Sequence, residues 1–369
     1  MTHPLGYVET QRAVLFAEGD PLRLRSGAEL HDVEVAYETY GELSPTGDNA
    51  IFVCHALTGD AHAAGLRMGE KRRGWWDNMI GRGKPIDTDR FFVISANLLG
   101  GCSGTTGPQS NDPATGRAYG PDFPLLHMSD VVAVHRRLVA SLGVQRLYAA
   151  VGGSLGGMQV LQWVCDAPEQ IERAVVIAAS SQLSTENIAF STVARQAIMG
   201  DPDYREGRYR EHGVRPDQGM KVARMMAHIT YVSPEALATK FGRRRTTVGE
   251  QMEMAPDFEV EHYLQHQGDA FLGRFDALSY LALSRLLDYF DPFADAATAE
   301  ALARTSTRFQ VTSFDSDWRF STAQSQRMVE QLRAHGVAVD FAELSSPHGH
   351  DSFLLESPGY HDRVRSFVG

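Results

Sequence analysis

Residues 147–157, with the sequence LYAAVGGSLGG, decide the fold. The first five are almost all apolar, as in a strand that is buried on both faces. The pattern G-x-S-x-G around Ser154 follows, and a helical pattern begins near Met158. This order of strand, turn and helix predicts a sharp turn that projects the Ser154 hydroxyl above a sheet, where it serves as a nucleophile. The alternative is a glycine-rich turn that carries an incidental serine.

Strand-like and helical segments alternate on both sides of this turn. Apolar runs predict strands at Val33–Tyr40, Ala50–Cys54, 91–96, 147–152, 174–179, Arg308–Phe314 and 337–344. Helical patterns lie between them, for example at 129–142 and 323–335. Such alternation predicts an α/β fold with a doubly wound, mostly parallel sheet.

The pattern changes between residues 182 and 305. Strand-like runs are replaced by helix-forming segments at 220–229, 234–239 and 260–290. The chain has 369 residues, more than one compact core usually holds, so an insertion is expected. We therefore predict a core domain of residues 1–181 and 306–369, and a helical lid insertion of residues 182–305.

Composition excludes several classes of function. The net charge of −11 argues against binding to nucleic acid or to an anionic membrane surface. The three cysteines, Cys54, Cys102 and Cys165, are odd in number and lack CxxC spacing, which argues against a disulfide framework and a cysteine zinc site. We find no metal-site pattern. There is no signal-peptide pattern and no apolar stretch long enough to span a membrane, so we expect a cytoplasmic protein.

A serine nucleophile needs a base and an orienting acid, which follow it in the chain order serine, acid, histidine when it lies on this kind of turn. The predicted strand Arg308–Phe314 leads into Asp315 and Asp317, and the next predicted strand leads into His348 and His350. Each loop thus lies in the right place in the order and offers two candidates. Spacing alone does not choose between them.

The oxyanion formed during acyl transfer needs backbone N–H donors. One donor is the residue after the nucleophile, Leu155, and the other comes from an early loop. The loop after the predicted strand Ala50–Cys54 is early in the chain, and we predict Leu57 in that loop as the second donor. The alternative is that this loop is only a turn.

Taken together, these motifs resemble the homoserine O-acyltransferases of methionine biosynthesis, a family of α/β-hydrolase fold. The resemblance spans nearly the whole chain. It rests on the segments HALTG at 55–59, GGCSGTTGP at 100–108, GGSLGGMQ at 152–159, ARM at 223–225, HITY at 228–231, RFDA at 274–277, SY at 279–280 and GHDSFL at 349–354.

The resemblance assigns the triad acid to Asp317 and the triad histidine to His350. It also implies that Arg224 and Asp351 bind the acceptor. An arginine suits the carboxylate of homoserine, and an aspartate suits its ammonium group. The implied reaction is ping-pong transfer from an acyl-CoA through an acyl-enzyme on Ser154, with no cofactor, in a homodimer that pairs through the lid helices.

The acyl donor is indicated by the residue two positions after the predicted triad acid. Acetyl-transferring members of the family typically carry an apolar residue there, whereas the segment Asp317-Trp318-Arg319-Phe320 resembles the succinyl-transferring members. An arginine compensates the desolvation of the terminal carboxylate of succinyl-CoA. The alternative is that Arg319 faces solvent or pairs with Asp315.

Four other functions remain open at this point. The donor is acetyl-CoA in the first, and the acceptor is serine in the second. The third is an esterase or thioesterase that uses water, which is disfavoured because a simple ester gives Arg224 and Asp351 nothing to bind. The fourth, an inactive scaffold, is disfavoured by a complete set of serine, acid and histidine.

Overall fold

The computed structural model describes residues 5–17, 19–246, 252 and 254–369. The strands are β1 Gln11–Leu15, β2 Leu22–Arg23, β3 Glu29–Leu30, β4 Val33–Tyr40, β5 Ala50–Cys54, β6 Phe92–Ala96, β7 Leu147–Gly153, β8 Ile171–Ile177, β9 Arg308–Phe314 and β10 Val339–Leu344. The α-helices are α1 Met128–Ser141, α2 Leu155–Asp166, α3 Thr185–Met199, α4 Asp217–Tyr231, α5 Pro234–Lys240, α6 Glu259–Phe271, α7 Ala277–Asp288, α8 Ala296–Arg304, α9 Thr322–Ala334 and α10 Tyr360–Val368.

Eight strands form one sheet in the order β1-β4-β6-β5-β7-β8-β9-β10, while β2 pairs with β3. The pairs from β6 to β10 are parallel, which confirms the prediction of a mostly parallel sheet. Strand β4 differs from its expected parallel character, because it pairs antiparallel with both β1 and β6. Strand β1 carries mostly exposed residues and so lacks the apolar run that would have predicted it.

Helices cover both faces of the sheet. Successive residues of a strand point to opposite faces, so Phe52 packs in one hydrophobic cluster and its neighbours Ile51 and Val53 pack in another. The first cluster includes apolar residues of α1, α2 and α9, and the second includes those of α10. Each buried strand is therefore shielded from water on both sides, as its apolar sequence predicts.

Among the described residues, six α-helices, α3 to α8, lie between β8 and β9, within the predicted insertion 182–305. The single helical region predicted at 260–290 is interrupted, because α6 ends at Phe271 and α7 begins at Ala277, where the Asp276 side chain accepts the N–H of Ser279 as an N-cap. Residues 247–251 and 253 of the predicted insertion, and residues 1–4 and 18 of the predicted core domain, lie outside the described residues.

The insertion packs on the sheet domain. Apolar residues of α3, α4, α6 and α7 belong to the same hydrophobic cluster as α1 and α2. No helix among the described residues is long and apolar enough to cross a membrane.

Candidate active site

Three loops at one edge of the sheet bring the predicted triad residues together. Ser154 follows β7, Asp317 follows β9 and His350 lies beyond β10. These strands belong to the parallel run β7-β8-β9-β10, so their carboxyl ends point to the same edge. Residues distant in sequence thus meet because of the strand order.

The turn at Ser154 has a strained backbone. Its φ is 58° and its ψ is −128°, which few residues other than glycine adopt. Such a conformation costs about 1–3 kcal/mol and persists only where the surroundings impose it. Here the Ser154 N–H donates to the carbonyl of Ile177 at 2.9 Å, and the N–H groups of Gly157 and Met158 donate to the Ser154 carbonyl. The turn is thus tied to β8 and to the first turn of α2.

Hydrogen bonds connect Ser154, His350 and Asp317 in a line. The Nε2 of His350 lies 2.9 Å from Ser154 Oγ, and its Nδ1 lies 2.7 Å from Asp317 Oδ2. All three residues are buried. The Asp317 carboxylate accepts a hydrogen bond from Nδ1–H, so Nε2 carries no proton and accepts the hydrogen bond of the serine hydroxyl. This is the arrangement that a general base needs.

The two competing candidates lie elsewhere. The Oδ1 of Asp315 accepts the N–H of Ser346 at 3.0 Å, and the side chain is exposed. His348 is also exposed. In contrast, Asp317 Oδ1 accepts the N–H groups of Arg319 and Phe320 at 3.0 and 2.9 Å. One Asp317 oxygen is therefore held by backbone and the other is directed at the histidine.

The two predicted oxyanion donors lie on segments that one side chain connects. Leu155 is the first residue of α2, so its N–H has no acceptor within the helix. Leu57 lines the same cavity as Ser154. The buried Gln159 amide donates to the carbonyls of His55 and Leu155, at 3.0 and 3.2 Å. Gln159 therefore holds the Leu57 loop against the start of α2.

A cavity of about 180 Å³ opens beside Ser154. Its wall includes all but two of the predicted site residues: Leu57, Ser154, Arg224, Arg319, His350 and Asp351. The two exceptions are Leu155 and Asp317, which do not line the cavity. The structure thus places the predicted acceptor-binding and donor-selecting residues around one space.

Arg224 and Asp351 face this cavity with few protein partners. The Arg224 guanidinium lies 4.7 Å from the Phe271 ring centroid, and its Nη1 is 3.4 Å from the Thr58 hydroxyl. Its buried Nε has no hydrogen-bond partner among the described residues. Burial raises the pKa of Asp351, an effect opposed by the charges of His350 and Arg224. A guanidinium and a carboxyl group are thus available to bind the two charged groups of a small zwitterion.

Arg319 is 8 % exposed, which excludes the alternative that it faces solvent. Within the described part of the chain, no carboxylate lies within 4.0 Å of its side chain, so the pairing with Asp315 is absent. Its Nη1 donates to the Thr230 hydroxyl at 2.7 Å, and its guanidinium lies 5.6 Å from the Tyr231 ring centroid. A buried cation without an acidic partner is a site for an anion.

No individual role is predicted from the sequence for Thr230, Tyr231 and His228, which belong to the segment HITY. Tyr231 and His228 line the cavity, and the Tyr231 ring lies near the guanidinium groups of both Arg224 and Arg319. Burial, Arg224 and Lys240 lower the pKa of His228 to about 4, so it is neutral at pH 7. In the sequence, only their place in the HITY segment singled out these residues. Their contacts form when α4 packs over the sheet, so no local pattern predicts them.

The chain is similar to known proteins over nearly its whole length. A family model described as the alpha/beta hydrolase fold matches residues 49–357. Homoserine O-succinyltransferase of Nocardioides sp. is 71% identical over 369 residues, covering 100% of both chains. Homoserine O-acetyltransferase of Caulobacter vibrioides is 50% identical, covering 96% of this chain and 93% of its own. The crystal structure of homoserine O-acetyltransferase from Bacillus anthracis superposes with a TM-score of 0.90 at 26% identity, covering 98% of each chain.

The raised pKa of Asp351 leads to a prediction about stability. The folded protein binds the proton of the Asp351 carboxyl more tightly than the unfolded chain does. The free energy of unfolding therefore falls as the pH rises from 3.8, the ordinary pKa, to the higher pKa of the folded state. Above the folded pKa, this loss of stability no longer changes with pH. Asp351→Asn should therefore raise the melting temperature by a few degrees at pH 7. The gain should disappear near pH 3.5. Thermal denaturation at several pH values measures both.

Asp315→Asn is the matched control, because the N–H of Ser346 lowers the pKa of Asp315. Its ionised form is favoured in the folded state, so this substitution should lower the melting temperature at pH 7. A loss of stability at pH 7 in both variants would contradict the assigned cost at Asp351.

Proposed function

The chain belongs to the homoserine O-acyltransferase family of the α/β-hydrolase fold, and from this premise we propose that it is a homoserine O-succinyltransferase of methionine biosynthesis. It transfers a succinyl group from succinyl-CoA to the hydroxyl of L-homoserine. The observation that carries the choice of donor is the buried Arg319 in the wall of the Ser154 cavity, without an acidic partner among the described residues. The 71% identity to a homoserine O-succinyltransferase supports the same choice.

In the first half-reaction, His350 Nε2 takes the proton of the Ser154 hydroxyl while Oγ attacks the thioester carbonyl carbon. The distance of 2.9 Å between these atoms supports this transfer. The N–H groups of Leu57 and Leu155 donate to the oxyanion of the tetrahedral intermediate. The carbon–sulfur bond then breaks, the CoA sulfur takes the proton from His350, and Ser154 carries the succinyl ester.

In the second half-reaction, His350 takes the proton of the homoserine hydroxyl, whose oxygen attacks the succinyl ester. The bond to Ser154 Oγ breaks, and the proton on His350 returns to that oxygen. Throughout both steps Asp317 holds the imidazole through the 2.7 Å hydrogen bond to Nδ1 and stabilises its charged form. One base thus serves both halves, since each half needs one proton removed and one returned.

The acceptor is held by charge. Arg224 binds the homoserine carboxylate, and Asp351 binds its ammonium group; both line the cavity beside Ser154. The terminal carboxylate of the succinyl group binds Arg319 instead. The homoserine carboxylate and the succinyl carboxylate therefore bind different arginines.

We assign helices α3 to α8 a lid role. Transfer exceeds hydrolysis only if water is kept from the acyl-enzyme while homoserine binds. Arg224 and Tyr231, which lie on α4, form part of the cavity wall, and this supports the role.

The site uses no metal or bound cofactor, because the serine, histidine and aspartate supply the nucleophile, the base and its support. All three cysteines are free thiols, which fits the cytoplasm where we expect the reaction.

A donor-by-acceptor activity matrix tests the proposed function. Succinyl-CoA and acetyl-CoA are each supplied with homoserine, serine or water, and kcat/KM is measured for every pair. Succinyl-CoA with homoserine should exceed acetyl-CoA with homoserine by about 100-fold or more, because a site built around a charged group rejects a substrate that lacks it. Without acceptor, mass spectrometry should detect a succinyl group on the protein, and Ser154→Ala should abolish it. An acetyl preference, or faster transfer to water than to homoserine, would overturn the proposal.

The role of Arg319 has its own test. Arg319→Leu removes the partner of the succinyl carboxylate, and hydrogen bonds to charged groups contribute about 1.5–3 kcal/mol each. The variant should therefore lose about 100-fold in kcat/KM for succinyl-CoA, with little loss for acetyl-CoA. Arg327→Leu, which changes an exposed arginine on the neighbouring helix α9, is the control and should leave both values unchanged. An equal loss with both donors would contradict the assignment.

We propose that two copies of the chain pair through α3 and α4. These helices pack against each other, and each exposes apolar side chains: Ile188, Val193 and Met199 on α3, and Val222 and Ile229 on α4. Val222 is 46% exposed and Ile229 40%. Burying such side chains from two copies would remove this apolar surface from water.

The expected dimer can be tested by charge. Val222→Asp combined with Ile229→Asp should convert a dimer into a monomer in light scattering, because two buried, unpaired carboxylates oppose association. Val14→Asp, at a 65% exposed position on the edge strand β1, is the control and should remain dimeric. A monomeric natural protein, or a dimeric double variant, would contradict the proposed surface.

A further inference from the structure

The Arg319 side chain has one protein hydrogen-bond acceptor in the described structure, the Thr230 hydroxyl. The Nη1–Oγ1 distance is 2.7 Å. Thr230 is fully buried, and its hydroxyl also lies 2.8 Å from the carbonyl oxygen of Ala227. A hydroxyl has one proton. Because the hydroxyl donates that proton in a hydrogen bond to the Ala227 carbonyl, its oxygen accepts the hydrogen bond from Arg319.

The carboxyl end of α4 stabilises the positive charge of the Arg319 guanidinium. Thr230 is the last residue but one of the helix, which ends at Tyr231. The carboxyl end of a helix carries partial negative charge, so it stabilises a nearby guanidinium. The Tyr231 ring, 5.6 Å from the guanidinium carbon, adds a favourable cation–π contact. These groups hold a buried arginine that has no acidic partner within the described chain.

The backbone of Arg319 is fixed independently. Its carbonyl accepts the amide groups of Asn187 at 2.7 Å and Gln324 at 3.2 Å, while its N–H donates to Asp317. These contacts set the start of the side chain but not the orientation of its far end. Among the described residues, only the Thr230 side chain forms a hydrogen bond with the guanidinium itself.

The position of the Thr230 contact decides which part of the guanidinium is free. With Nη1 donating to the hydroxyl, the edge formed by Nε and Nη2 has no protein acceptor among the described residues. That edge offers two parallel N–H donors, the geometry that binds a carboxylate through both oxygens. Arg319 therefore presents an intact pair of donors.

We propose that Thr230 is a positioning residue for donor specificity: it orients Arg319 so that the Nε–Nη2 edge binds the terminal carboxylate of succinyl-CoA. This inference rests on the proposed succinyl transfer. Thr230 acts only through Arg319, so the acetyl reaction does not depend on it. Acetyl-CoA has no terminal carboxylate and therefore provides an internal control in the same protein.

The test is Thr230→Val, which keeps the β-branched shape and removes the acceptor. The ratio of kcat/KM for succinyl-CoA to that for acetyl-CoA, with homoserine as acceptor, should fall about 10-fold, mainly through a higher KM for succinyl-CoA. The value for acetyl-CoA should stay within about twofold. Thr230→Ser keeps the hydroxyl and should retain the natural ratio even if its stability falls.

Thr192→Val is the matched control. Thr192 is also a helix threonine whose hydroxyl donates to a preceding carbonyl, that of Ile188, and accepts from an arginine, Arg195. It does not line the Ser154 cavity. This variant should therefore keep the natural donor ratio. If Thr192→Val lowers the ratio as much as Thr230→Val does, the effect belongs to helix threonines in general and the inference is overturned.

A double variant isolates the route through Arg319. In the Arg319→Leu background, adding Thr230→Val should not change the donor ratio, because the residue it acts through is gone. An additive effect in the double variant, an unchanged ratio in Thr230→Val, or equal losses with both donors would each overturn the inference. If Thr230→Val does not fold, the test rests on Thr230→Ser. A donor ratio in Thr230→Ser as low as that of Arg319→Leu overturns the inference, and the ratio of the unmutated protein supports it. A natural protein that prefers acetyl-CoA would overturn the proposed function first, so the two failures are distinguishable.

Discussion

The close approach of α2 to the sheet controls the geometry of the site. A Cβ on Gly156 would lie 2.1 Å from the carbonyl oxygen of Cys54, and one on Gly152 would lie 2.3 Å from the backbone of Gly156. Only residues without a side chain allow the helix to begin so near the ends of β5 and β7. This closeness imposes the positive φ of Ser154 and brings the first turn of α2 beside the Leu57 loop. A Cβ on Gly153 would likewise collide with the Phe353 ring, three residues after His350.

Much of the site could be predicted because its geometry follows from strand order. A residue just after a parallel strand lies at a known edge, so the loops after β7, β9 and β10 had to meet. The choice of Asp317 over Asp315 depends on the turn beyond β9, where the N–H groups of Arg319 and Phe320 hold one carboxylate oxygen. The spacing of the two aspartates in the sequence does not reveal this turn. Only the resemblance to a family distinguished Asp317 from Asp315.

Other features depend on contacts that no local pattern encodes. Strand β4 is largely buried although it carries Glu34 and Glu38, and its partners β1 and β6 run antiparallel to it. Direction is set by how the chain returns to the sheet rather than by the residues of the strand. Likewise Thr230 looks like any helix threonine in sequence. Its importance comes from Arg319, 89 residues later, whose guanidinium meets it only when α4 folds over the sheet.

The distribution of charge accounts for the difference between a transferase and a hydrolase that share this fold. A hydrolase needs the serine, the histidine, the acid and the oxyanion donors but no site for a charged acceptor, because its acceptor is water. Here the same cavity also contains Arg224 and Arg319, whose guanidinium groups both lie near the Tyr231 ring, at 5.8 and 5.6 Å from its centroid. The two guanidinium groups therefore offer two anion sites in the wall of one cavity of about 180 Å³. A succinyl group on Ser154 and the homoserine that attacks it, each with a carboxylate, can therefore occupy the cavity together without competing for one cation.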